Sequence, residues 1–371
     1  MAKPITTQTF KIQLETLTPL HIGSGRELMK GLDFFYDGNN KIVGKVNQKK
    51  LYPKYIDNID KWSATIMDGE DIYQKFLQKR QVPLKEVCDE ILPVRYLHGG
   101  QLKEFIRNGM TQNPVIAGSS IKGAIRTALL SDKLNEYYKS RVNELIRNFN
   151  KYRKFDTEIL KPVTEIKQTD KKHNPQNDIF KYIQVSDAEG KQSQLFVDIF
   201  QTLNTNRDEN WYIKKSLTQS LEVFEGEVNF SICINDEFWE KNKFGIRNVS
   251  DFFAKIHQHN KELLEKELDY FKNDLEVGYF SDNEIGGKII EAIENLLENL
   301  NENDILLRMS AGSGWDFMTG AWLKKVTNNE QWEQIKSFLV RDRRYVDFPF
   351  PKTRRLTSEY KLPGFVKLSL L

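Results

Sequence analysis

The stretch PVIAGSSIKGAIRTALL, residues 114–130, decides how the rest of this sequence is read. Ile121, Ala124, Ile125, Ala128 and Leu129 recur at the spacing of one helix face, so a helix is predicted from about Ile121 onward. Gly118-Ser119-Ser120 stands just ahead of it, and serine is a favoured N-cap because its hydroxyl accepts an unpaired first-turn N–H. The first-turn N–H groups left over, together with the positive end of the helix dipole, make an anion site. Lys122 and Arg126 are four residues apart on one face, where both could reach neighbouring phosphates. Gly123 and Ala124 are small enough to let a backbone approach. The same residues also suit an ordinary capped helix with solvated cations. A nucleotide triphosphatase is excluded, since GxxxxGK[ST] is missing and Gly312-Ser313-Gly314 lacks the following Lys-Ser or Lys-Thr.

Outward from this stretch, Leu134, Tyr138, Val142, Leu145 and Phe149 continue the helical spacing. Residues 150–180, with KQTDKKHNPQND, carry little periodicity and read as a mobile loop or insertion. Residues 9–17, TFKIQLETL, alternate as a half-buried strand, and 32–46 read as a hairpin turning at Asp37-Gly38-Asn39-Asn40. Glu227 to Ile234 alternate again. Residues 251–275 and 285–300 carry Leu and Ile at helical spacing, with Ile289, Ile293, Leu296, Leu297 and Leu300 on one face. Strands and helices in both halves predict an α+β fold of two sheet domains. The expected division is 1–190, with its insertion near 150–180, and 191–371.

At 371 residues the chain has room for two cores, and an apolar fraction of 39% with 12% aromatics argues against general disorder. No run approaches a membrane span, and MAKPITTQTF lacks the apolar centre of a secretory signal, so a cytoplasmic protein without membrane contact is expected. Cys88 and Cys233 lie in apolar surroundings far apart in sequence and read as buried free thiols. No residue spacing suggests a metal site, and His257 and His259 read as exposed helix residues; neither metal nor cofactor is expected. The net charge is only +3. Residues 341–371, however, hold eight Lys or Arg against three acids, a basic segment on a near-neutral body. Such a segment suggests a localised anion contact or a solvated tail.

A second Gly-rich stretch is RMSAGSGWDFMTGAWLKK, residues 308–325. Gly312, Gly314 and Gly320 permit tight turns and close ligand approach. Trp315 and Trp322 suit base stacking or core packing equally, and Lys324 and Lys325 could meet phosphates.

LTPLHIGSG at 17–25, VIAGSSIKGAIRTAL at 115–129, YIQVSDAE at 182–189 and the Gly-rich stretch at 308–320 together resemble the RAMP superfamily of CRISPR-associated proteins. With PKTRRL at 351–356 and LPGFVKL at 362–368, their order is similar to the fifth-subunit family of the Csm complex, a type III-A CRISPR effector. The resemblance spans nearly the whole chain. It implies two RAMP-type domains, variants of the ferredoxin-like RNA-recognition fold. It also implies a non-catalytic RNA-binding subunit in antiviral defence, near the 3′ spacer end of the guide RNA (crRNA). That subunit contacts the repeating backbone subunit and other Csm-type subunits, meets target RNA indirectly, and supports crRNA maturation by separate nucleases, host nucleases among them. The one departure is Ala117, where the family often has Pro.

The residues expected to hold RNA are His21, Gly23, Ser24, Gly25 and Arg26 of the first loop, and Gly118, Ser119, Ser120, Lys122 and Arg126 of the helix start. To these are added Gly312, Ser313, Gly314 and Lys324 of the second Gly-rich stretch, and Lys352, Arg354 and Arg355 of the basic segment. The rival reading is a RAMP-family endoribonuclease. In it His21 acts as general acid or base with Arg26 meeting developing charge, or Asp33 stands where target-cleaving relatives carry an aspartate.

Overall fold

The computed structural model describes residues 6–67, 73–152, 157–167, 174–206, 208, 210–301, 303–318, 320–340, 348 and 350–371. In chain order its strands are β1 (Thr7–Thr16), β2 (Gly23–Met29), β3 (Phe34–Asp37), β4 (Ile42–Val46), β5 (Cys88–Pro93), β6 (Gln101–Phe105), β7 (Val115–Ile116) and β8 (Ile183–Val185). There follow β9 (Ala188–Glu189), β10 (Leu195–Thr205), β11 (Trp211–Ile213), β12 (Gln219–Phe224), β13 (Glu227–Asn235), β14 (Ile305–Arg308), β15 (Thr353–Leu356) and β16 (Phe365–Leu370).

The alternation in residues 9–17 makes β1 the centre of the first sheet, ordered β14-β16-β1-β13-β8 and antiparallel throughout. Ile12 lies opposite Phe230 and Leu14 opposite Val228, so the apolar faces of both alternating segments fall together. The second sheet runs β11-β10-β12-β6-β2, with β15 also paired to β10. The expected hairpin is β3 and β4, extended by β5. The boundary expected at 190/191 does not separate the sheets, because β1 from the first half pairs with β13 and β16 from the second. The largest apolar core likewise mixes Ile12, Ile121 and Ile125 with Ile232, Phe252 and Leu368.

The predicted helix spans Gly118–Tyr138 and buries Ile121, Ile125, Ala128 and Leu129 in that core. Of the continuing apolar spacing, Leu134 and Tyr138 belong to this same helix, and the rest forms a second helix, Val142–Tyr152, with Val142, Leu145 and Phe149 buried. Residues 153–156 and 168–173 of the expected mobile insertion lie outside the described residues. The rest of that segment is ordered structure: a helix at Thr157–Thr164 and two 3-10 turns bury Ile159, Val163, Ile179 and Phe180. These few apolar residues point inward without a regular spacing, which a search for periodicity cannot see.

The two packing helices appear as Val249–Val277 and Asn283–Glu298. Gly278 ends the first of them in the left-handed conformation. Burial of Ile289 and Ile293 matches the predicted face. The histidines do not match. His257 is half-buried and its Nδ1 accepts a hydrogen bond from the Leu306 N–H at 3.2 Å, while His259 is buried. The long helix packs against β14, the edge strand of the first sheet, so the two histidines and Asn260 turn toward protein while Gln258 between them stays exposed. Cys88 is buried, Cys233 is half-buried, and both are free thiols. Among the described residues no helix is long and apolar enough to cross a membrane, and no three His, Cys, Asp or Glu side chains gather as a metal site.

Burial of His259, beside Asp132 and Lys325, lowers its pKa from 6.5 to about 4. Above pH 6.5 the imidazole is neutral in both folded and unfolded chains. Below it, only the unfolded chain gains the proton, so stability falls until about pH 4. A shift of this size corresponds to about 3 kcal/mol. Urea denaturation at pH 7 and pH 4.5 is expected to show a lower midpoint at acid pH, with a smaller drop in a His259→Gln variant.

Candidate nucleic-acid interface

The six motif segments lie scattered along the chain, yet hydrogen bonds join five of them into two groups. After β1 the chain crosses to β2 through Leu17 to Ile22. Both the Leu17 and Thr18 N–H groups donate to Phe365 O, at 2.8 and 3.1 Å, and Thr18 Oγ1 accepts from the Phe365 N–H at 2.9 Å. Gly364 N donates to Pro19 O at 3.0 Å, and Met309 N donates to Gly364 O at 2.8 Å. His21 completes the junction: its carbonyl accepts from Ala311 N at 2.9 Å, and its N–H donates to Ser310 Oγ at 3.1 Å. The first loop, the Gly-rich stretch and the C-terminal LPGFVKL thereby become one wall.

The helix start joins YIQVSDAE instead. Gly118 N donates to Asp187 Oδ1 at 2.7 Å, so the protein's own carboxylate occupies the first-turn anion position. The helix begins at Gly118 with Ala117 as N-cap and no side-chain cap, which corrects the capping role predicted for Ser119 and Ser120. A Cβ on Gly118 would lie 2.3 Å from Val185 O, and the close crossing of the two segments requires the missing side chain.

Lys122 and Arg126 share a face as predicted, but that face packs against the protein. Lys122 Nζ donates to Ile183 O at 2.6 Å, and burial lowers its pKa. Arg126 lies 2.8 Å from Asp178 and over the Phe180 ring. At 100° per residue, positions 120, 123, 124 and 127 lie on the other side of the helix. That side is open, and its residues are Ser120, Gly123, Ala124 and Thr127.

Two adjoining clefts open there. The first, about 320 Å³, is lined by Ser120, Gly123, Ala124 and Thr127, by His21 to Gly23, by Arg308 to Ala311, and by Ser313, Phe317 and Met318. The second, about 530 Å³, shares His21, Gly23 and Ala311 and adds Gly25, Arg26, Glu27, Lys103, Glu104, Phe200, Gly312 and Arg355. The three small-residue segments singled out in the sequence therefore meet at one surface. Gly123 is exposed mid-helix with open space where a Cβ would stand, so packing does not require a glycine there.

His21 is 2% exposed, and its Nδ1–H donates to Glu222 O at 2.7 Å. Because a carbonyl only accepts, this fixes the tautomer and leaves Nε2 as the acceptor in the neutral ring. Burial lowers the His21 pKa, which favours that neutral form. Ser24 lines neither cleft; its Oγ donates to Glu104 Oε2 at 3.1 Å, and Arg26 of the second cleft, 68% exposed, stands 3.7 Å from the same carboxylate. Arg355 donates to Leu217 O at 2.8 Å and to Thr202 Oγ1. Behind this cleft a buried ion cluster anchors β12: Glu222 meets Lys45 at 2.6 Å and Arg107 at 2.8 Å.

The remaining expected residues are distributed elsewhere. Arg354 is buried, bound through Nε and Nη2 to Glu267 at 2.7 and 2.8 Å, so it is a structural ion pair and not a surface cation. Lys324 stands 3.5 Å from Asp316, and burial lowers its pKa. Lys352 covers the Phe348 ring. Gly314 adopts a positive φ of 81° but lies outside the residues lining the two clefts. Trp322 is fully buried and stacked on Tyr138, and Trp315 packs against Trp332 and Phe350, so both tryptophans are packing residues. Asp33 accepts from Met29 N at 2.8 Å and closes a turn away from both clefts. Sequence reasoning missed Arg308, Ser310, Thr127 and Lys103, which carry no spacing signal and come together only through the fold.

The model of the RAMP superfamily matches residues 13–307. The chain belongs to the RAMP superfamily. Among curated proteins it is similar to the CRISPR system Cms protein Csm5 of Methanocaldococcus jannaschii, with 24% identity over 98% of this chain and 89% of that one. The Csm5 of Streptococcus thermophilus is 25% identical over 49% of this chain and 52% of its own length. Among solved structures, a chain of a Csm-crRNA-target RNA ternary complex from a type III-A CRISPR-Cas system superposes with a TM-score of 0.71. It is 20% identical, over 98% of this RAMP chain and 100% of that one. The crystal structure of T. onnurineus Csm5 gives 0.63 at 16% identity, over 95% and 99% of the two chains. Both superpositions establish a shared fold.

Removing the carboxylate at the Gly118 N–H should loosen the junction between helix and β8–β9 segment. An Asp187→Ala variant is expected to lose about 1–2 kcal/mol in denaturant unfolding, and Asp187→Asn, which keeps an acceptor, less than half of that.

Proposed function

We propose that this chain is a non-catalytic RNA-binding subunit of a type III-A CRISPR effector ribonucleoprotein, and that its paired clefts hold the backbone of the guide RNA. The convergence of the His21 loop, the open face of the Gly118–Tyr138 helix and the 308–313 stretch on one surface carries the reading. Small residues allow a polynucleotide backbone to lie close, and hydroxyls of Ser120, Thr127, Ser310 and Ser313 line the surface. Arg26, Lys103 and Arg355 add positive charge beside them. Such groups read phosphate and sugar rather than base identity, so binding is sequence-tolerant. The likeness over nearly the full length to two Csm5 proteins and to a chain of a Csm ternary complex supports membership of a Csm-type complex. In that setting the partners are crRNA, the repeating backbone subunit and the other Csm-type subunits, with target RNA met through the guide. The place near the 3′ spacer end, the support of maturation by separate nucleases and a cytoplasmic location belong to the same reading.

β16-β1-β13-β8 reproduces the 4-1-3-2 antiparallel order of a ferredoxin-like unit, with the Gly118–Tyr138 helix between its first and second strands. We read β14 as an added edge strand and the second sheet as the centre of another RAMP-type unit. Domain boundaries then follow sheets rather than sequence halves.

His21 acts in this reading as a support, since its ring and backbone are bonded to Glu222, Ser310 and Ala311. The endoribonuclease alternative keeps one favourable observation, the neutral Nε2 bordering both clefts. Incubation with guide precursor and complementary RNA, with and without magnesium, separates the two; cleavage lost in His21→Asn would establish the enzyme.

Gly123 tests the binding surface. Gly123→Ala is expected to raise stability by about 0.5–1 kcal/mol, because a helix-interior glycine with free space has only conformational entropy to lose. Gly123→Glu should fold normally and weaken single-stranded RNA binding at least tenfold in fluorescence anisotropy. Wild-type affinity in that variant would place the interface elsewhere. For the maturation role, guide RNA recovered from complexes lacking this subunit should show an altered length distribution at its 3′ end.

A further inference from the structure

Arg308 ends β14 at the wall of the first cleft, and its surroundings differ from those of every other buried arginine already described. The residue is 4% exposed. Its N–H donates to Asn260 Oδ1 at 3.1 Å, and Nε donates to Pro363 O at 3.1 Å. The guanidinium lies 4.4 Å from the Phe317 ring centre and 4.8 Å from that of Phe365. Among the described residues no carboxylate stands within 4.0 Å of it. The two acids whose charge acts on it are engaged by others: Glu267 holds Arg354 in a two-point ion pair, and Asp316 lies 3.6 Å from Arg354 and 3.5 Å from Lys324.

Nη1 and Nη2 therefore keep donors without a protein acceptor among the described residues. Neither nitrogen is fully sealed from solvent, and Arg308 is one of the residues that line the first cleft. An unpaired buried cation is costly, and aromatic faces offset it only in part. The neighbouring Arg354 shows the contrast. It is as deeply buried, but Glu267 holds its pKa above the ordinary arginine value, whereas burial without such an anion lowers Arg308 to about 9. At neutral pH Arg308 still carries its charge. What it lacks is a negative partner, and the cleft beside it offers the hydroxyls of Ser120, Ser310 and Ser313 and the bare backbone of Gly123.

We propose that Arg308 is the anion anchor of the first cleft, donating from Nη1 and Nη2 to a backbone phosphodiester of bound RNA seated against Ser120, Ser310 and Gly123. A planar fork of two parallel N–H donors matches two non-bridging phosphate oxygens. The aromatic rings and the Pro363 carbonyl hold that fork in place before the ligand arrives, so little side-chain freedom is lost on binding. This inference rests on the RNA-binding reading for the identity of the anion, but not for its charge or position.

The test uses the full chain with Arg308→Met, a neutral side chain of similar length, and Arg308→Lys, which keeps charge but not the fork. Single-stranded RNA affinity is measured across a salt series, and melting is followed with inorganic phosphate against chloride at equal ionic strength. The expected result is about tenfold weaker RNA binding for Arg308→Met at moderate salt, with its log–log salt slope reduced by about 0.7. Arg308→Lys should lose severalfold less, and phosphate should raise the melting temperature of the wild type but not of Arg308→Met. Wild-type RNA affinity and salt slope in Arg308→Met, alongside salt-dependent binding by the wild type, would overturn the anchor and leave the RNA reading standing. A wild type that binds no RNA but still shows the Arg308-dependent phosphate shift would overturn the RNA reading and support the anchor. If Arg308→Met fails to melt cooperatively, Arg308→Lys decides: full wild-type RNA affinity in it would overturn the two-point geometry.

Discussion

The segment from Leu17 to Ile22 has no regular partner strand of its own, and the rest of the surface depends on how its backbone groups are satisfied. They bond to Phe365, Gly364, Ala311 and Phe224, which are distant in the chain. Backbone donors and acceptors withdrawn from water must find partners, so these bonds force the first loop, the 308–313 stretch and the C-terminal strand to share one position. His21 locks the arrangement from the side through Glu222 O. The open clefts exist because this junction is closed.

A second constraint governs the other wall. The Gly118–Tyr138 helix can approach the β8–β9 segment only because Gly118 has no side chain, and Asp187 then satisfies its N–H. The contact sets the helix rotation. Lys122 and Arg126 are thereby turned toward Ile183 and Asp178, and the small residues toward the cleft. The cations that looked like a phosphate grip hold the scaffold, while positive charge reaches the cleft from Arg308, Arg26, Lys103 and Arg355.

Charge placement follows a common logic across the molecule. Glu222 with Lys45 and Arg107, and Glu267 with Arg354, are buried ion clusters in which opposite charges stand against one another. Breaking either would strand a charge in a low-dielectric interior. The basic C-terminal segment thus contributes Arg354 to the core and Arg355 to the second cleft, a division that net charge along the chain does not reveal.

Read from the sequence alone, periodicity determined the strands β1 and β13, the hairpin at 32–46, the helix after residue 118 and the packing helices of the second half, because each pattern arises from burial of one local face. The motif order likewise determined the superfamily, and small residues marked the segments that meet at the clefts. Only the tertiary structure decided that β1 pairs with strands of the second half, that Ile159, Val163, Ile179 and Phe180 of the 150–180 segment enter the core, and that His259 is buried. It also decided which side of the Gly118–Tyr138 helix is open and which cations border a cleft. The physical reason is that spacing specifies which residues share a face, whereas the partner of that face is chosen by contacts between segments tens to hundreds of residues apart.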